Sequence, residues 1–423
     1  MKQTILIKEA RHYATGEAVD VIIADGQVAA MASSLPAPEG AAVIDARGLT
    51  LLPGLVDLHV HFREPGYSYK ETIKTGSEAA ARGGFTTVCT MPNVNPVPDS
   101  DEALSVQEKL ISDNALIQVL PYASITRRRL GEETVDFAGL AHRVAGFSDD
   151  GTGVQSEQVM AEAMKGIAAT GALLAAHCEV ESLLNKGYIH DGDYAAAHGH
   201  RGICSESEWK EVERDIRLAE ESGCRLHICH VSTKESVDLV RDAKSRGVKV
   251  TCETGPHYLW FTDADLQEEG RFKMNPPIRS AADREALRAG IIDGTVDAIA
   301  TDHAPHSAEE KSRGLEKSAM GVVGLETSFG ASYTAMVVPG LMTLDKLVER
   351  MSLTPRSLLG LPDPFETGSP ADFVLVDLES KWRVDPAAFV SMGKATPFEG
   401  LELQGEVVMT IHDGEIVYSR NGL

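Results

Sequence analysis

The chain has 423 residues, 43% hydrophobic and 24% charged, an ordinary globular composition with ample apolar material for a large buried core. The formal net charge is -23, from 63 acidic against 40 basic residues; such a surface repels nucleic acid and anionic membranes, so neither is expected as a partner, and an anionic substrate would need a local cationic site. No apolar run approaches the roughly 18 residues of a membrane span, the opening Met1-Lys2-Gln3-Thr4-Ile5-Leu6-Ile7 reads as a strand rather than a signal peptide, and the cysteines (Cys89, Cys178, Cys204, Cys224, Cys229, Cys252) lack disulfide-framework spacing, which fits a reducing cytoplasm.

In chain order, residues 1–53 read as short strands and turns. Ala18 to Ile23 is a strand pattern, Asp25-Gly26 a turn, Gln27 to Met31 the returning strand, and Ala42 to Asp45 another. Residues 54–362 alternate apolar strands with helical stretches. The strand candidates are Gly54 to His59, Thr86 to Met91, Ile117 to Tyr122, Val144 to Phe147, Ala172 to His177, Leu226 to His230, Val248 to Glu253 and Ala298 to Thr301. Between them Ser156 to Thr170, Glu206 to Gly223 and Lys234 to Gly247 have helical patterning, the last two ending on a glycine cap. Eight βα units over roughly 300 residues predict an α/β fold of the (β/α)8 TIM-barrel type. Residues 363–423 return to strands: Phe373 to Val376, Gly405 to Ile411, the turn Asp413-Gly414, and Glu415 to Tyr418. Two β-rich ends around a different middle predict one small β domain built from both termini, 1–53 with 363–423, beside a catalytic barrel of 54–362.

A barrel of this type carries its chemistry at the C-terminal ends of its strands. The first strand ends Asp57-Leu58-His59-Val60-His61-Phe62-Arg63, and histidines two apart in a strand point to one side. The fourth is followed by Ser148-Asp149-Asp150-Gly151, the fifth ends at His177, the sixth at His230, and the eighth at Asp302 within Thr301-Asp302-His303-Ala304-Pro305-His306. Four histidines and two carboxylates converging on one mouth suit two divalent ions such as zinc, and so many buried polar groups would be costly if unpaired.

These segments resemble the dihydroorotases of the metal-dependent amidohydrolase superfamily. Asp57 to Pro65 is similar to the family's first signature, and Ala300 to His306 with Lys311 to its second; Gly83-Gly84-Phe85-Thr86-Thr87-Val88 and Met91-Pro92-Asn93 also match. The likeness spans nearly the whole chain and implies a sandwich-like form for the terminal domain. It implies that His59 and His61 bind one zinc ion with Asp302, and that His177 and His230 bind a second. Many relatives bridge the two ions with a carboxylated lysine. No lysine lies near the fourth strand end here, so the bridge falls to Asp150, or to its neighbour Asp149, as in the aspartate-bridged bacterial subgroup. One or two zinc ions per subunit are therefore expected.

The implied reaction is the reversible cyclisation of N-carbamoyl-L-aspartate to L-dihydroorotate in pyrimidine biosynthesis. Metal coordination lowers the pKa of bound water to about 7, which supplies a hydroxide nucleophile, and Asp302 would shuttle the proton to and from the ring nitrogen. Arg63 can pair with the spare substrate carboxylate through a planar two-point contact. The resemblance assigns His61, Asn93 and His306 to substrate as well, and Asn275, in Met274-Asn275-Pro276-Pro277, to the ring. The polar stretch His303 to Leu325, punctuated by Gly314, Gly321 and Gly324, is long for a loop and reads as a mobile lid, with Met320 and Gly321 touching substrate. His227, three from His230, is expected on the opposite side of its strand, and His198 and His200 in a loop; His257 and His303 read as groups that orient ligands or as structural residues. Other cyclic amidases, such as allantoinases and hydantoinases, fit less well because of Arg63, Asn93 and the missing lysine. A non-catalytic partner of aspartate transcarbamoylase fits less well because every ligand type is present. A homodimer, and a complex with that enzyme, are expected from the resemblance.

Overall fold

The computed structural model describes residues 2–420. Its N-terminal strands are β1 (Ile5–His12), β2 (Ala18–Ala24), β3 (Gln27–Ala32), β4 (Ala42–Asp45) and β5 (Thr50–Pro53). The middle of the chain supplies β6 (Leu55–Val60), β7 (Phe85–Thr90), β8 (Gln118–Ala123), β9 (Gly146–Phe147), β10 (Leu173–Ala176), β11 (Ile189–His190), β12 (Gly202–Ile203), β13 (Arg225–Ile228), β14 (Val250–Thr254) and β15 (Ala298–Ile299). The C-terminal strands are β16 (Phe373–Arg383), β17 (Glu402–His412) and β18 (Glu415–Ser419).

Both ends of the chain enter one sheet, ordered β18-β17-β16-β5-β1-β2-β3 with β4 beside β1. The join is β16 antiparallel to β5, with Phe373 opposite Pro53 and Val376 opposite Thr50. Alternating residues such as Ile5, Ile7, Val21, Ile23, Phe373 and Leu375 fill its core. The two Asp-Gly hairpin turns, Asp25-Gly26 and Asp413-Gly414, have positive φ at both residues, as a tight two-residue turn of this hand requires. They lie back to back: a Cβ on Gly26 would sit 2.9 Å from the Asp413 carbonyl oxygen, so the contact admits no side chain there.

The eight strands β6, β7, β8, β9, β10, β13, β14 and β15 form a second sheet in that order, every pairing parallel. A bridge between Val60 and His303 brings its two edges together, and the buried Asp57 carboxylate accepts the Thr301 N–H at 3.1 Å across the same seam. The result is a (β/α)8 barrel. Leu226 and Ile228 pack outward with the helix layer, whereas Val56, Leu58, Cys89, Met91, Tyr122, Ala175, Cys229 and Ala298 form the interior cluster. Surrounding helices have legible ends: Ser156 accepts from Val159 N–H to start Glu157–Thr170, and Gly171 and Gly223 close Glu157–Thr170 and Glu206–Ser222 in the left-handed region. Among the described residues no helix is long and apolar enough to cross a membrane.

The stretch from His303 to Leu325 is built, not structureless. It holds the short helices Ala308–Lys311 and Gly314–Lys317, and His303 bridges to both Val60 and Val322. The buried Lys311 Nζ donates to the carbonyls of Lys273 (3.0 Å), Ala319 (2.8 Å) and Gly321 (2.6 Å), which ties the stretch down as a strap.

Candidate active site

The C-terminal strand ends meet where the sequence places its polar residues. Asp150 is the centre. Its Oδ1 lies 3.4 Å from His59 Nε2, 3.5 Å from His177 Nδ1 and 3.5 Å from His230 Nε2, and its Oδ2 lies 3.7 Å from His61 Nε2. Asp302 completes the cluster, with Oδ1 2.9 Å from His61 Nε2 and 3.5 Å from His59 Nε2. His177 Nδ1 faces His230 Nε2 at 2.9 Å. Asp149 turns the other way: its carboxylate accepts from the Ile125 N–H at 2.8 Å, the Thr126 N–H at 3.1 Å and the Thr126 hydroxyl, which spends its acceptors on the neighbouring loop. Of the two adjacent aspartates only Asp150 faces the imidazoles.

These six side chains fit divalent cations. His59 Nε2 and Asp150 Oδ1 are buried without a hydrogen-bond partner, a costly arrangement unless a cation meets them. His59, His61 and Asp302 form one trio of ligand types with mutually close donor atoms, and His59, Asp150 and His230 form another. The electrostatics agree. Burial by itself favours neutral forms, yet His59, His177 and His230 pull the Asp150 carboxyl well below the ordinary range. Against the same burial, Asp150 and Glu179 raise His177 to about 10, and His61 with His59 takes Asp302 down to about 2. The pocket holds positive charge strongly, and its nitrogen and oxygen donors suit zinc-like ions.

The cluster opens into a cavity of about 220 Å³. Arg63, Asn93, Asn275, His306, Met320 and Gly321 all line it, beside His61, His177, His230, Asp150 and Asp302. His59 lies beneath, fully buried. A larger groove of about 440 Å³ beside the strap shares His306 but holds none of the six ligand-type residues. Arg63 Nε donates to the Pro305 carbonyl at 3.1 Å. Asn93 Oδ1 lies 2.8 Å from His61 Nδ1, and its amide donates to Asp150 Oδ2 at 3.2 Å. His306 sits with Nε2 2.7 Å from the Met320 carbonyl and Nδ1 3.2 Å from Lys70 Nζ; burial, with Arg63, Lys70 and Lys311 near, takes it down to about 3, so the ring is neutral. Asn275 Oδ1 is buried and unpartnered.

A dihydro-orotase-like family model matches residues 48–236. Over 402 residues the chain is 49% identical to a dihydroorotase of Bacillus licheniformis, covering 94% of each chain. Over 379 residues it is 50% identical to a dihydroorotase of Shouchella clausii, covering 89% of each. The chain belongs to the dihydroorotase family. Among solved structures, an L-hydantoinase (dihydropyrimidinase) from Arthrobacter aurescens matches with a TM-score of 0.88 at 29% identity, covering 99% of this chain and 97% of that one. A dihydropyrimidinase from Brevibacillus agri, with a TM-score of 0.86 at 22% identity over 99% of this chain and 95% of its own, shares the fold.

In this dihydroorotase-family site several residues escaped the sequence reading. Glu253, the penultimate residue of β14, has Oε1 3.0 Å from His59 Nδ1 and Oε2 3.1 Å from His227 Nε2. Glu179 Oε2 lies 3.5 Å from His177 Nε2, and Arg129 donates to the Asp150 carbonyl. A charged residue ending an apolar barrel strand, Val250-Thr251-Cys252-Glu253, was the available signal for Glu253. His227 corrects an expectation: it is buried and joined to the cluster through Glu253, because β13 ends at Ile228 and His230 follows at φ +35, which breaks the alternation. His198 and His200 stay apart from the cluster. His198 closes the helix Asp193–His198, rather than lying in a loop, and His200 binds Glu268 at 2.8 Å. His303 accepts from Gly324 N–H at 3.2 Å and faces Glu71 at 3.5 Å, while His257 is buried near Asp302 and His230 with its Nε2 unpartnered.

Proposed function

We propose that this chain is a cytoplasmic dihydroorotase that interconverts N-carbamoyl-L-aspartate and L-dihydroorotate plus water in pyrimidine biosynthesis. The carrying observation is a single small cavity that pairs five metal-ligand-type side chains, His59 buried just beneath them, with a guanidinium, two carboxamides and a neutral histidine. Residues 54–362 form the catalytic unit, and 1–53 with 363–423 the β domain beside it. His59, His61 and Asp302 would hold one zinc ion and His177 and His230 a second, with Asp150 reaching both. When bound, such ions lower the pKa of water and polarise an amide carbonyl.

The chain's own groups do the rest. Arg63 pairs its terminal nitrogens with the substrate carboxylate that does not react, a two-point contact for which its Nε is already tethered. Asn93 keeps one amide N–H free for the same anion while the other holds Asp150. Neutral His306 and Asn275 supply uncharged polar contacts, and Met320 and Gly321 cover the ring from the strap. In ring opening Asp302, ionised in this setting, takes a proton from the attacking water and delivers it to the departing ring nitrogen. In closure the same carboxylate reverses both transfers. Closure consumes one proton, because a carboxylate becomes a neutral amide, so lower pH favours the ring. A homodimer and a complex with aspartate transcarbamoylase complete the proposal; both rest on the family likeness.

The test is ring opening of L-dihydroorotate beside hydantoin and allantoin, with bound metal measured in the same sample. Selective turnover of dihydroorotate with metal present supports the reading. A folded, metallated protein that prefers hydantoin or allantoin, or turns over none of the three, overturns it.

A further inference from the structure

Beneath the six ligand-type residues lies a buried polar chain that no step above uses. Thr251 and Glu253 are two apart on β14 and so share a face. His227 on β13 is the register partner of Thr251. His227 Nδ1 lies 2.9 Å from Thr251 Oγ1, His227 Nε2 lies 3.1 Å from Glu253 Oε2, and Glu253 Oε1 lies 3.0 Å from His59 Nδ1. His59, His227 and Glu253 are all fully buried.

A carboxylate in such a layer is costly unless both oxygens are satisfied, and Glu253 spends each on an imidazole. An ionised carboxylate only accepts, so the ring nitrogen that faces it carries the hydrogen. His59 is thereby held as the Nδ1–H tautomer, with its lone pair on Nε2, the unpartnered atom that faces Asp150 and Asp302. His227 in turn donates from Nε2 and accepts the Thr251 hydroxyl at Nδ1. A core ion pair with a purely structural task has no need of the contact to His59.

We infer that Glu253 is a positioning residue for the metal centre: it sets the tautomer and ring orientation of His59, with His227 and Thr251 as its anchor. The inference rests on the metal-centre reading above. Carboxylates behind metal-binding histidines raise ligand basicity, and their loss typically weakens metal binding about 10- to 100-fold.

The experiment titrates metal-free protein with Zn²⁺ against a chromogenic chelator. Glu253→Gln keeps the shape and removes the charge; zinc affinity is expected to fall about 10- to 100-fold. Glu253→Asp, which keeps the charge, recovers part of the loss, and His227→Gln gives a smaller loss than Glu253→Gln. Asp20→Asn is the control, since this buried carboxylate of the β domain accepts from Glu9 and Leu35 N–H groups far from the site; it lowers thermal stability and leaves zinc affinity unchanged. Wild-type affinity in Glu253→Gln overturns the inference. If that variant does not fold, wild-type affinity in both Glu253→Asp and His227→Gln overturns it instead. A wild-type protein that takes up no zinc, or a His59→Ala variant that binds as well as wild type, overturns the metal-centre reading itself.

Discussion

Gly321 sits in the strap at φ +129, where side chains are strained, and its neighbours leave no room for one. A Cβ added there would lie 2.8 Å from both the Ala304 Cβ and its carbonyl oxygen, and 3.1 Å from His306 Nε2, where ordinary contact begins at 3.4 Å. Ala304 cannot yield easily, because its N–H is bonded to the Val322 carbonyl at 2.8 Å beside the barrel seam. In Gly321→Ala the strap must therefore lift by about 0.6 Å, against the Lys311 contact to the Gly321 carbonyl and the Gly321 N–H bond to Lys273 at 3.1 Å. Backbone strain of about 1–3 kcal/mol and overpacking of about 1–3 kcal/mol give a total of about 2–6 kcal/mol. Urea unfolding should register that loss. Steady-state ring opening should show KM up on the order of tenfold with kcat less affected, because the strap covers substrate in the proposed site while the six ligand-type residues stay in place. Unchanged stability together with unchanged KM would refute the steric argument and the placement of Gly321 over substrate.

Three further outcomes are expected. Asp302→Asn should cut kcat by about 10²–10⁴ with the circular dichroism spectrum unchanged, and a near-normal rate in the folded variant would sink the proton-transfer assignment. Arg63→Lys should raise KM for dihydroorotate, since an ammonium cannot copy the two-point contact, while leaving any residual hydantoin turnover alone; an equal effect on both substrates argues against carboxylate binding. Lys311 is pulled down from 10.5 to about 7 by burial, with Lys273 adding to it. The folded state then binds fewer protons than the unfolded state between about pH 7 and the unfolded pKa, so this residue makes stability rise with pH across that window, by up to about 1.4 kcal/mol per unit. Urea midpoints of wild type and Lys311→Met should diverge accordingly between pH 7 and pH 9, and parallel curves would refute the assignment.

Much of this was legible before any coordinates. The apolar runs locate all eight barrel strands to within about two residues, because barrel strands buried on both faces read as continuous apolar segments. The fourth and eighth are shorter than their patterns suggest, two residues each: the fourth joins the ladder two residues late, and the eighth leaves it two residues early, ahead of Asp302. The ligand-type residues are readable for a related reason: a histidine or aspartate that ends an apolar strand stands out. Asp149 and Asp150 could not be separated by pattern, because the choice depends on which carboxylate the Ile125–Thr126 backbone captures. His227 was misplaced by assuming regular alternation through a residue that lies at positive φ. Glu253 and Glu179 were missed because a single carboxylate has no spacing to give it away, and only the fold shows which imidazole it stands behind.

The barrel closes where its first and last strands meet, and the two ligand-bearing segments lie on either side of that join. His61 and Asp302 are 241 positions apart yet within 2.9 Å. An ion held by both would act as a clasp across the barrel seam, removing the entropy of an unzipped barrel in the way a cross-link does. Loading such a clasp is then part of completing the fold, so the chelated chain should be weakest at this seam, and any supply of metal to the cell becomes a determinant of how long the folded enzyme lasts.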